Sequence, residues 1–174
     1  ATDFDAVDDV FRQAGRLDGV VNFSGALLLK GAHMTSKDQY RTVVDASLTT
    51  AFATVRSAAK LMKEGGSVVL VSSAAALAGF ANHEAIAAAK AGIIGLTLSA
   101  AATYAPANLR FNAIAPGLVE TPMTHFLTSS EQSRKVSEGM HALGRIGKPS
   151  DIASAVRFLL DPANDWITGQ VLAV

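Results

Sequence analysis

Three polar side chains near the middle of this chain have the chemistry to hold or move a proton: Ser73, His83 and Lys90, with Glu84 beside the second. They fall in the stretch SVVLVSSAAALAGFANHEAIAAAK, Ser67 to Lys90. A histidine titrates near neutral pH and can serve as acid or base, so His83 and its neighbour Glu84 are candidates for proton transfer. Each residue also has a plainer reading. Ser73 follows an apolar run, where serine is commonly a turn residue. Lys90 could be a surface lysine with its stem laid along apolar groups, although alanines on both sides leave its charge isolated. His83 and Glu84 could be the cap and first turn of a helix, where the dipole favours an acid. His33, His83, His125 and His141 lack ligand spacing, so no metal site is expected.

The elements that would position these groups alternate between helix and strand, which argues an α/β fold with a parallel sheet. Phe4, Val7, Val10 and Phe11 recur at helical spacing over 3–13, with Thr2 and Asp5 as a capping box and Gly15 as the stop. Residues 18–23 form a short apolar strand. Ser36 and Gln39 make a second capping box ahead of a long helix ending at Gly65-Gly66. Ser67 to Val71 reads as a strand buried on both faces. An alanine-rich helix is expected over 84–104 and a strand over 109–115. The segment 118–148 has no long period. A helix over 150–160 and a strand over 169–174 complete the chain. These give four parallel strands in order of appearance, with the first an exposed apolar edge.

The same stretch, continued through RFNAIAPGLVETPM, resembles the short-chain dehydrogenase/reductase family. The family pattern puts its catalytic serine at Ser73, its lysine at Lys90 and its tyrosine at Ile86. An isoleucine cannot donate a proton. The resemblance further implies that Ser73 hydrogen-bonds the substrate oxygen. Lys90 would bind the ribose hydroxyls of the nicotinamide and lower the pKa of the acid. Ser47, in DASLT, stands where the family has an asparagine that positions the lysine through a water. Asn22 and Gly25 match a family turn near the cofactor ribose, while Phe23 and Ser24 depart from it. Pro116, Gly117, Val119 and Thr121 resemble the turn that holds the nicotinamide carboxamide. There proline fixes φ and glycine lets the backbone approach a flat ring.

The family's glycine-rich pyrophosphate turn is not found here. The resemblance covers nearly all of the chain but only the later two-thirds or so of the family fold, a partial Rossmann-like sheet. A single domain, 1–174, is expected, as an N-terminally incomplete chain. NAD or NADP would bind only with the missing part. The activity implied is hydride transfer between NAD(P) and a carbonyl or alcohol, impaired by Ile86. Two alternatives remain: a non-catalytic binding or scaffold protein, and a lyase or isomerase using His83 or Glu84. His83 lies one helical turn from Ile86.

The chain has 174 residues, 49% of them hydrophobic and 17% charged, enough for a real core. Net charge is zero, which gives no case for nucleic acid or a membrane surface. With no cysteine, disulfides and thiol catalysis are excluded, and a cytoplasmic setting is expected. The family's dimer interface uses the helices near 37–63 and 84–104, so a homodimer or homotetramer acting on a small molecule is expected.

Overall fold

A computed structural model describes residues 2–174. Four parallel strands, β1 (Gly19–Asn22), β2 (Gly66–Val71), β3 (Leu109–Ala115) and β4 (Val171–Ala173), lie in the order β1-β2-β3-β4. This is the expected order. Among the described residues β1 pairs only with β2, so it is the edge foreseen from the sequence. β2 is buried on both faces. Val68 and Leu70 point into a core with Ile93 and Phe111, and Val69 packs with Ile114, Ile152 and Leu159 on the other side. Alternation along a strand sends neighbours to opposite faces, and β-branched residues suit both.

Helix α1 (Phe4–Ala14) corrects two expectations. Its cap is Asp3, not Thr2: the Asp3 carboxylate accepts from the Asp5 and Ala6 amides at 3.0 and 3.1 Å. A carboxylate there takes two amides at once and sits at the positive end of the helix dipole. Val10 also faces out, 63% exposed. The inward stripe from Phe4 runs through Val7, Asp8 and Phe11, at helical i, i+3, i+4, i+7 spacing. Asp8 is fully buried. Lys60 and Ser57 reach it at 2.6 Å and Arg56 at 3.1 Å, and they hold its carboxyl well below the usual range. This pairing locks α1 to α3 (Thr50–Leu61).

The long helix expected over 37–63 is three pieces. α2 (Lys37–Val44) begins at the Ser36/Gln39 capping box, as foreseen. A π-helical turn, Asp45–Thr49, joins it to α3. Such wide turns are rare and gather at functional sites. Helix α4 (Glu84–Tyr104) and strand β3 have the expected bounds. By length and composition α4 could cross a bilayer, but here its Ile93, Ala100 and Ala101 pack into the core beneath β2 and β3. The 118–148 segment contains α5 (His125–Thr128) and α6 (Glu131–Gly139). α7 (Pro149–Leu160) covers the second face of the sheet. The last strand is shorter than 169–174: it spans Val171–Ala173, starting after Gly169, whose φ of 69° is left-handed.

Candidate functional site

The site is built where the C-terminal ends of β1, β2 and β3 meet the first turns of α4. Alanines around Lys90 let α4 approach the sheet closely. As a result the lysine is not a surface group: it is only 7% exposed. Its Nζ donates to the Val71 carbonyl at 2.7 Å, and its backbone carbonyl accepts from Ser72 Oγ at 2.8 Å. Burial lowers its pKa to about 8, because removing water disfavours the ammonium form.

Two of the expected partners lie against it. A Cβ built on Gly25 would fall 3.2 Å from Lys90 Nζ and 3.6 Å from Ser47 Oγ. Lys90 Nζ and Ser47 Oγ therefore both border the turn after β1 at Gly25. Ser47 is fully buried, and its hydroxyl has no hydrogen-bond partner among the described residues. An unsatisfied buried hydroxyl is unfavourable by ~1–3 kcal/mol, so the pairing of an orphan hydroxyl with a desolvated lysine points to a ligand. Asn22 supports the turn instead of entering it. Its Nδ2 donates to Thr54 Oγ1 at 2.7 Å, and its Oδ1 accepts from the Ser24 amide.

Ser73 caps a short 3-10 turn, its Oγ accepting from the Ala75 amide at 3.2 Å. The next amide, of Ala74, donates to the Pro116 carbonyl at 2.8 Å, which joins the Ser73 turn to the turn after β3. In that turn Val119 bridges Gly147. Thr121 caps the 3-10 turn Pro122–Thr124, and Thr124 Oγ1 donates to the Val119 carbonyl. Gly147 is bracketed in sequence by the Arg145–Asp151 ion pair. Arg145, with the Lys148 amide, holds the Asp151 carboxyl at about 2. Asn112 ties β3 to the segment leading into β4, donating to the Ile167 carbonyl and accepting from the Gln170 amide.

Ile86 lies one helical turn before Lys90, 5% exposed, in an apolar cluster with Val43, Ala85, Ala89 and Leu28. His83 begins α4 but makes no side-chain cap; its ring bonds the Ala81 carbonyl at 2.7 Å and packs on Phe80. Glu84 is exposed. The hydrogen bonds of His83 do not run to Ser73 or Lys90.

Four residues of the site were not read from the sequence. Ser72 and Thr54 are buried polar groups that anchor Lys90 and Asn22. Thr124 locks the turn, and His141 binds it from the far end of the 118–148 segment. A paired serine after an apolar strand was a usable signal for Ser72. A lone histidine in an aperiodic segment carries none.

A protein family described as Enoyl-(Acyl carrier protein) reductase matches residues 3–174. The 3-oxoacyl-(acyl-carrier-protein) reductase FabG of Thermotoga maritima is 34% identical over 98% of this chain and 69% of its own length. The structure of a carveol dehydrogenase from Mycobacterium avium in complex with NAD superposes with a TM-score of 0.91 at 28% identity, covering 99% of this chain and 70% of that one. ElxO with NADP bound gives 0.92 at 28% identity, covering 99% and 73%. The chain spans about 70% of the length of these relatives.

Proposed function

This chain belongs to the short-chain dehydrogenase/reductase family, and from that premise we propose that it serves NAD(P)-dependent hydride transfer to or from a small carbonyl or alcohol. The observation that carries the reading is the desolvated Lys90 beside the orphan hydroxyl of Ser47, over a glycine whose missing side chain leaves them room. These residues fit the nicotinamide-ribose end of a dinucleotide. Lys90 would donate to the ribose hydroxyls, with Asn22 and Gly25 shaping the wall. Val119 and Thr121, on the Pro116-Gly117 turn, would meet the carboxamide. When bound, the nicotinamide gives or takes the hydride. Ser73 would hold the substrate oxygen, its hydroxyl hydrogen being free to donate while its lone pair holds the Ala75 amide.

The proton is the weak step. A positioned general acid contributes ~10²–10⁴ in rate, and the position that should supply it holds Ile86. Turnover is therefore slow by about that factor. The test is to titrate the full-length protein with NADH and NADPH by nicotinamide fluorescence, then assay a panel of ketones and alcohols. Saturable binding with weak turnover fits the proposal; absence of dinucleotide binding overturns it.

One observation favours a second reading, a binding protein without turnover: Ile86 completes an apolar cluster, so its position is filled by packing instead of left open. Saturable dinucleotide binding with no turnover on any substrate would select it. The lyase or isomerase reading has no such support, since His83 is engaged by Ala81 and Phe80. We also propose a homodimer through the faces of α3 and α4, where Phe52 and Leu98 are each about half exposed beside a groove lined by Phe4, Leu96 and Tyr104. Sedimentation of native protein and Phe52→Lys compares dimer with monomer.

A further inference from the structure

We infer that His141 is a positioning residue: its neutral imidazole clamps the end of the 118–148 segment onto the turn at Pro116–Thr121 and fixes how that turn presents its backbone. The role given to that turn rests on the dinucleotide reading above; the clamp itself rests on three contacts.

His141 Nδ1 lies 2.7 Å from the Ser137 carbonyl, and Nε2 lies 3.0 Å from the Leu118 amide nitrogen. A carbonyl only accepts and an amide N–H only donates, so Nδ1 carries the proton and Nε2 the lone pair. Both bonds hold for one neutral tautomer alone. The third contact is steric. A Cβ on Gly117 would fall 2.7 Å from His141 Nε2 and 3.1 Å from Cδ2. Gly117 does not have a positive φ. Its missing side chain is needed for the imidazole, not for the backbone. From the sequence a flat ring was expected against this glycine; in the structure a protein ring fills that contact.

The clamp is directional. The Leu118 carbonyl accepts from the Gly147 amide, and the Glu120 amide donates to the Gly147 carbonyl. In extended chain, alternate residues face the same edge, so the bond from the Leu118 amide to His141 extends that edge. The Gly117 amide turns the other way, to the Val174 carbonyl, and the Val119 amide shares its side. His141 thus secures one edge of the turn and leaves the Val119 edge for a ligand. Among the described residues, α6 itself ties to the turn through the Arg134–Glu120 pair, with side chains 40% and 52% exposed. Exposed pairs of this kind contribute little.

The test uses the full-length protein with His141→Leu, which removes both bonds, and His141→Gln, whose amide can both donate and accept. The readouts are the ¹⁵N tautomer signature of His141, hydrogen exchange at the Leu118 amide, and NAD(P)H affinity. Expected are an Nδ1–H tautomer in the native protein, Leu118 exchange faster on the order of tenfold in His141→Leu, and substantial recovery in His141→Gln. Cofactor affinity should follow the same order. An Nε2–H tautomer, or Leu118 exchange unchanged in His141→Leu, overturns the clamp. Tautomer and exchange need no cofactor: if both behave as expected and no variant binds dinucleotide, the functional reading fails and the clamp stands.

Discussion

Two successive turns of α4 keep opposite company. Ile86 is buried in an apolar cluster with Val43, Ala85, Ala89 and Leu28. Around Lys90, one turn later, the neighbours are the Val71 carbonyl, Ser72, Ser47 and the bare backbone of Gly25. The first turn gains stability from burial at about 25 cal/mol per Å² of apolar surface. The second gives some back, since burial pulls the Lys90 ammonium down to about 8 and leaves the Ser47 hydroxyl unpartnered. Unfavourable polar burial beside a well-packed apolar turn is the pattern of a functional-site candidate. On the reading proposed above, the contrast separates two parts of one chemistry: the residues assigned to the nicotinamide ribose keep their polar surroundings, and the position that should donate the proton is filled by packing.

The sharpest way to break this contrast is Ile86→Tyr. If only the donor is missing, carbonyl reduction by the full-length protein should rise by ~10²–10⁴. The larger ring must enter the Val43–Ala89 cluster, so stability should fall by about 1–3 kcal/mol. Single-turnover NADPH oxidation and urea melts measure the two effects. A destabilised variant with no gain in rate would mean that the site has lost more than its acid.

Lys90→Met tests the other turn. In the native state Lys90 loses its proton at about 8, while the unfolded chain keeps it to the ordinary 10.5. Between these values the unfolded state binds more protons, so native stability rises with pH across that window. The shift corresponds to about 3 kcal/mol, a penalty fully present below pH 8 and relieved above 10.5. In Lys90→Met this rise should vanish, the protein should be more stable at pH 7, and dinucleotide binding should be lost. Urea melts at pH 7 and pH 10 on both proteins decide it; an unchanged slope would mean that Lys90 is not desolvated in solution.

How far the sequence reaches follows the same divide. The bounds of α4 and β3 and the order of four strands were legible, because apolar periodicity and burial on both faces leave a local record. So was the Ser36/Gln39 box, whose chemistry lies within four residues. Long-range polar pairing left no such record. Nothing in FDAVDDVF says that Asp8, and not Val10, faces inward; its partners Ser57 and Lys60 come from another helix. The π-helical turn at Asp45–Thr49 is invisible to a 3.6-residue period. Ser47 and Lys90 were found by resemblance, but their shared wall at Gly25 emerges only once the turn after β1 folds back on them.

Gly25→Ala sharpens the comparison at that wall. Its methyl would stand 3.2 Å from the tip of Lys90, a flexible group that can yield by a few tenths of an ångström. Stability should fall by roughly 1–2 kcal/mol, and dinucleotide affinity should fall with it, because the methyl fills the room beside the ammonium. Calorimetry and a fluorescence titration report the pair of effects. Lost stability with undiminished affinity would place the ligand away from this wall.

Ser47→Ala is the smallest change and the most diagnostic, because its two expected effects have opposite signs. Deleting a buried hydroxyl that has no protein partner removes a desolvation penalty, so the ligand-free protein should gain up to about 1 kcal/mol. Deleting a hydroxyl that a bound dinucleotide engages, directly or through Lys90, should weaken that binding. A group kept for packing behaves otherwise: its loss lowers stability and leaves affinity alone. Thermal melts with and without NADPH distinguish the cases, since a bound ligand adds stability in proportion to the logarithm of one plus its concentration divided by Kd. Ser47→Ala should melt above the native protein without NADPH and gain less when NADPH is added. If it melts lower in both conditions by the same amount, the hydroxyl belongs to the π-helical turn and not to the site.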